Sequence, residues 1–184
     1  MHRLGPDNAT LSVHTKRGGA AAKAGHDLEL HVTRWEATLD LDAGTAELTA
    51  DGGSLRVEKG EGGMQKLGDE DKENILKTID DEVLEKRNIT FRSASVSGGE
   101  GHFQVDGELT LAGASRPLTF DLRVDDGAVH AAATVTQTRF GMKPFSALFG
   151  TLKVLDDVEV RLDGRLGDYP KVTPKRSQRT GTDS

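Results

Sequence analysis

The residues able to do acid–base, nucleophilic or metal chemistry are few and scattered. There are six histidines: His2, His14, His26, His31, His102 and His130. His14, His31, His102 and His130 fall on the polar phase of alternating stretches, where a solvated imidazole is the simple expectation. His26 differs, because it precedes Leu28 on the apolar phase and sits between Gly25 and Asp27. Adjacent residues on a strand point to opposite faces, so His26 and Asp27 are not expected to form a catalytic dyad. A strand-start histidine bonded to nearby backbone, or one touching a ligand, are the two roles left open. No H-E-x-x-H and no G-x-S-x-G motif occurs.

The acidic series Asp69, Asp71, Glu73 and Asp80 has the register of a calcium loop. The glycine that loop needs at its sixth position is Asn74, and the segment reads as helix. The glycine-rich stretch from Gly60 to Gly68 lacks the G-x-x-x-x-G-K-[ST] order of a phosphate loop and leads into an acidic helix start. With no cysteine, thiolate metal sites, disulfides and a Cys nucleophile are excluded. No cofactor or metal is expected, and neither is a catalytic role.

The elements around these residues are strands. The chain has 184 residues, enough for one ordinary domain. Its apolar fraction is 35%, with 4% aromatic residues and 22 glycines, so the core is lean. The net charge of −6 argues against nucleic acid as a partner, since phosphate binding needs a basic face. No run of apolar residues is long enough to span a membrane or serve as a signal peptide, which makes the cytoplasm the expected location. The segment 167–184 is polar, carries Pro170 and Pro174, and is expected to be a disordered tail.

From Thr10 to Gly164 the dominant period is two. Leu28, Leu30 and Val32 share one phase, while Trp35, Ala37 and Leu39 share the opposite one. One extra residue near Thr33-Arg34 restores a common face, as a β-bulge does. A second flip falls at Gly52-Gly53, between Ala46, Leu48, Ala50 and Leu55, Val57. Turn signals stand at Ala43-Gly44, Gly98-Gly99-Glu100-Gly101, Ala112-Gly113-Ala114 and Asp125-Asp126-Gly127. If each flipped pair is one long strand, the count is eight, which fits an up-and-down antiparallel barrel. One segment breaks the period. Asp69 to Lys86 places Ile75, Leu76, Ile79, Val83 and Leu84 on one helical stripe, expected against a barrel opening. Half of the six Phe lie between Arg139 and Gly150, a stretch without alternation that could plug a barrel end or wall a ligand.

Four stretches carry a family resemblance. Gly107-Glu108-Leu109-Thr110-Leu111-Ala112-Gly113-Ala114-Ser115-Arg116-Pro117 resembles a G-x-L-T-[LI]-x-G-x-[ST]-[KR]-P segment. Val83-Leu84 followed by Ile89-Thr90-Phe91-Arg92-Ser93 is similar to a helix-to-strand passage ending in I-x-F-x-S. Thr138-Arg139-Phe140-Gly141 resembles a turn ahead of the last strands, and Val154 to Leu162 a closing strand. These are marks of the YceI-like, polyisoprenoid-binding, lipocalin-like family. Arg87-Asn88 replaces a Tyr-Pro that many members carry, and the glycine-rich stretch before the helix is unusual.

The resemblance implies an all-β domain over residues 7–166. Its form would be an eight-stranded antiparallel lipocalin-like barrel with one amphipathic helix at an opening. It also implies a long apolar ligand inside, an isoprenoid or other long-chain lipid, held by a soluble non-catalytic carrier. Strand phase together with that fold nominates a wall of Leu28, Leu30, Val32, Trp35, Leu39, Phe91, Phe103, Val105, Phe120, Leu122, Phe140, Phe145 and Phe149, with His26 at the mouth. A closed barrel with a filled core, acting as an interaction module, is the rival. A homodimer is left open.

Overall fold

The computed structural model describes residues 1–84 and 88–167, leaving aside the side chains of Glu82 and Val83. The expected tail, beyond Gly167, lies outside the described residues, as do Lys86 and Arg87 at the expected helix end. Alternating apolar and polar residues produce the expected half-buried strands. On Ala114–Asp125, Leu122 and Val124 are buried and Leu118 and Phe120 half-buried, while Thr119, Asp121, Arg123 and Asp125 are exposed.

The strands in chain order are β1 (His2–Leu4), β2 (Ala9–Thr15), β3 (Arg17–Gly18), β4 (His26–Val32), β5 (Trp35–Asp40), β6 (Thr45–Asp51) and β7 (Leu55–Gly62). After the helix α1 (Asp69–Thr78) come β8 (Asn88–Gly99), β9 (His102–Leu111), β10 (Ala114–Asp125), β11 (Ala128–Thr136), β12 (Ser146–Ala147), β13 (Leu152–Val154) and β14 (Asp157–Arg165). The main sheet is antiparallel and curled, with order β1-β5-β6-β8-β9-β10-β11-β14-β2-β4-β7. A second sheet, β12-β13-β3, has three short strands.

The main sheet therefore counts eleven strands, not the expected eight. The reason is local. Both phase flips interrupt the ladder, so β4 and β5 are separate strands, as are β6 and β7, and β1, ahead of the expected series, adds the third extra strand. Yet β4 pairs with β7 and β5 with β6, on either side of one bend. Ser54, fully buried, fastens that bend. Its Oγ accepts from the Arg34 N–H at 3.0 Å and donates to the Asp51 carbonyl at 2.7 Å. The Thr33 N–H and hydroxyl both donate to the Ser54 carbonyl, at 3.1 and 2.8 Å. Asp51 caps the short 3-10 turn Gly52–Ser54 by accepting from Gly53 N, and Arg34 grips the same carboxylate at 2.6 Å.

Three hairpins in succession use two-residue turns, Glu100-Gly101, Ala112-Gly113 and Asp126-Gly127, each with both residues at positive φ. This is the mirror-image turn whose twist matches the strands, and it calls for glycine at its second position.

The glycine-rich stretch is shorter than expected as a loop, because β7 continues to Gly62 and pairs there with His26. Gly68 N–H then donates to Asp71 Oδ2 at 2.9 Å, and three acids occupy the first turn of α1. The helix widens into a π-turn over Ile79–Val83, ahead of buried Leu84.

Candidate functional site

Inside the curled sheet lies a cavity of about 570 Å³, within the roughly 300–1,000 Å³ common for small-molecule sites. The interior is thus hollow rather than filled. Its wall is built from the inward strand phase. Several inward apolar side chains are only half-buried despite facing the interior: Val13, Leu28, Leu118, Phe120, Val160 and Leu162. They pack against the core on one side and border the cavity on the other. Short side chains create that space, notably Ala131 and Ala133 on β11, and Ala46 and Ala50 on β6. Asn74, Ile75, Thr78 and Ile79 of the helical segment, with Leu84 after it, close one side.

Of the residues nominated from sequence, Leu28, Leu30, Val32, Leu39, Phe91, Val105, Phe120, Leu122, Phe145 and His26 line this cavity. Four do not. Trp35 is buried in the core just past the bend. Phe140 is buried at the end of the 3-10 turn Gln137–Phe140, and Phe103 packs half-buried on the core near the β8–β9 turn. Phe149 is fully exposed. Strand phase reports which face a residue takes, but not its height along the strand, and the last turn before β13 has no phase at all.

Phe91 and Phe120 meet in the cavity with centroids 5.3 Å apart, in a tilted arrangement. Gly107 makes room for this pair, since a Cβ there would overlap the Phe91 ring and the Arg92 carbonyl. That gives the glycine of the G-x-L-T stretch a steric cause.

The lining includes Glu47, Asp51, Asn74 and Gln137, and a separate cationic group gathers at one end of the cavity. Arg17, His26 and Lys153 line it there, beside Gly25 and Leu152. The His26 ring donates through Nε2 to the Gln65 carbonyl at 2.7 Å, as a strand-start histidine bonded to backbone. Asp27 points elsewhere. It accepts from Arg17 N at 2.9 Å and Lys16 Nζ at 3.2 Å. Partial burial of Asp27 disfavours its charge, but the hydrogen bonds from Arg17 and Lys16 outweigh that and hold the carboxyl below its ordinary range. Arg17 also donates to the Gly25 carbonyl at 2.5 Å. His26 and Asp27 are engaged with different partners and do not form a dyad. Other strand histidines bond away from this end: His2 to the Gly167 carbonyl at 3.0 Å, His14 with the Ser12 hydroxyl at 3.0 Å, His31 with Glu29 at 2.9 Å and His130 with Asp163 at 2.7 Å. Asp69, Asp71 and Glu73 lie on α1, and among the described residues no group of His, Asp and Glu is arranged to hold a metal.

Sequence reasoning missed the alanines of β11, the helix residues Asn74 and Thr78, and the polar pair Arg17 and Lys153. The alanines were legible as inward by phase. The other four take their place only through loop and helix docking.

The fold resembles that of Burkholderia cenocepacia BcnA, with a TM-score of 0.62 at 17% identity, over 84% of this chain and 94% of that one. A Campylobacter jejuni YCEI protein aligns with a TM-score of 0.49 at 14% identity, over 74% of this chain and 84% of that one. No curated protein matches the sequence. Among the described residues no helix is long and apolar enough to cross a membrane. The model of the YceI-like domain matches residues 6–166, nearly the whole described chain. On that match, the chain belongs to the YceI-like domain family.

Proposed function

We propose that this protein is a soluble, non-catalytic carrier that holds one long apolar ligand, of isoprenoid type, inside the sheet. The observation that carries this reading is the hollow interior, lined by aliphatic and aromatic side chains that stay half-exposed to it. A prenyl chain placed there gains roughly 0.8 kcal/mol per buried methylene, so affinity needs few polar contacts. The bent pairs β1–β2, β4–β5 and β6–β7 act as continuous strands in this reading, so that the eleven strands enclose a barrel of eight. Leu28, Leu30, Val32, Leu39, Phe91, Val105, Phe120, Leu122 and Phe145 contact the chain, and His26 stands at the mouth. Membership of a family known for polyisoprenoid binding supports the ligand class.

The test is native mass spectrometry of freshly purified protein, followed by organic extraction. One prenyl or acyl lipid per chain is the expected result. A bare chain mass that is unchanged after incubation with prenyl quinones and prenyl phosphates would reject the carrier reading.

A further inference from the structure

The stretch from Gln137 to Leu155 contains Arg139, Lys143 and Lys153 and no Asp or Glu, in a chain of net charge −6. It ends in an unusual tip. Leu148, Phe149 and Gly150 are consecutive residues in the left-handed region, with φ of 51°, 56° and 83°. Bulky residues rarely adopt this conformation, because their Cβ crowds the backbone. The tip is held by Thr151, whose N–H and hydroxyl both donate to the Leu148 carbonyl, at 3.2 and 2.7 Å.

The fold thus accepts strain and uses it to hold Phe149 wholly in solvent, with Leu148 58% exposed. The apolar tip is continuous with the cavity. Phe145 is 41% exposed and also lines the interior. Met64, 80% exposed, follows Gly63, whose backbone lies against the cavity-lining His26 ring. Nearby Lys16 and Arg17 are already engaged by Asp27, while Asp156, just past the stretch, is held as a carboxylate by the Thr138 N–H and hydroxyl. The cations of the stretch itself are what the tip presents.

We propose that the Phe145–Gly150 tip docks on the surface of an anionic lipid bilayer. Phe149 and Leu148 enter the interface, Lys143 and Lys153 face the headgroups, and the cationic end of the cavity is set against the membrane. This goes beyond the carrier reading and does not depend on it.

The experiment is co-sedimentation of the full chain with vesicles of phosphatidylglycerol and phosphatidylcholine in equal parts, and with phosphatidylcholine alone. Binding to the anionic vesicles is expected, weakened by salt. Phe149→Gly should bind about tenfold less, as expected for one lost interfacial aromatic. It should melt no lower than the parent, because glycine takes this φ without strain. Lys143→Glu should weaken binding to anionic vesicles alone. Absence of binding to anionic vesicles, or a Phe149→Gly variant that binds like the parent, would overturn the proposal. So would self-association in sedimentation equilibrium that vanishes in Phe149→Gly, which would assign the tip to a second copy of the chain. These vesicles hold no isoprenoid, so a failure here leaves the carrier reading standing, and an empty cavity leaves this proposal standing.

Discussion

Phe91 on β8 and Phe120 on β10 face each other inside the curled sheet, with ring centroids 5.3 Å apart and planes inclined at 59°. Strand β9 lies between their strands and contributes Gly107 beneath the Phe91 ring. The pair stands where wall and core coincide. Phe91 is buried and Phe120 remains half-exposed to the cavity. Removing the Phe120 ring in Phe120→Ala should cost about 2–4 kcal/mol, toward the lower end for Phe truncation because the ring is incompletely buried. Urea denaturation measures this. On the carrier reading, the same variant should release lipid more readily on extraction.

Gly107→Ala tests the steric role of the glycine. Its Cβ would overlap the Phe91 ring and the Arg92 carbonyl, and backbone cannot step aside as a flexible side chain can. A loss of about 1–3 kcal/mol is expected from overpacking. Pairing it with Phe91→Leu should recover part of that loss. Equal stability of parent and Gly107→Ala would show that the ladder gives way easily at this point.

Val105 is wholly buried on the inward phase of β9 and lines the cavity. Val105→Arg places a charge at a position with no exposure, at a high desolvation cost. The variant should fail to fold, or fold without ligand. Circular dichroism with lipid extraction reads both, and a stable, lipid-loaded variant would show the strand phase to be wrong.

Ser54→Ala leaves the Arg34 N–H and the Asp51 carbonyl each without the Ser54 hydroxyl, at a position with no exposure. The expected cost is about 1–3 kcal/mol, the price of unmet buried polar groups. If the bend is also what shapes the cavity, hydrogen exchange should rise at both Thr33–Trp35 and Asp51–Leu55.

Acid should destabilise the fold through particular carboxylates. The Arg34 side chain, then the Gly53 N–H, hold Asp51 below its ordinary range, and the Thr138 hydroxyl and N–H do the same for Asp156. A carboxyl with a lowered folded pKa binds protons more readily when unfolded. Its contribution is complete above the unfolded value, about 3.9, and is lost as pH falls through the lower folded value. Melting temperature should therefore stay level from neutral pH to about 5 and fall below about 4. In Asp51→Asn the fall should be shallower, because one of these linked groups is gone.

Most of the secondary structure was legible because a period of two is written in side-chain type. The alternation on β10, the two phase flips and the glycines of the three tight hairpins all follow from local chemistry. The acidic start and apolar stripe of α1 did as well. By itself, the sequence determined an all-β chain with one helix, two bends and a lean interior.

Tertiary structure decided what local signals cannot carry. The flips became breaks between strands because Ser54 takes up the backbone hydrogen bonds at the bend. Phe91 and Phe120 line the cavity while Phe103, equally inward by phase, does not, because the distance along the strand to the hollow is set by the stagger of neighbouring strands. Phe145 and Phe149 lie four residues apart with the same chemistry. One reaches the cavity and the other stands in solvent, because the left-handed turn at Leu148–Gly150 sends the chain outward between them.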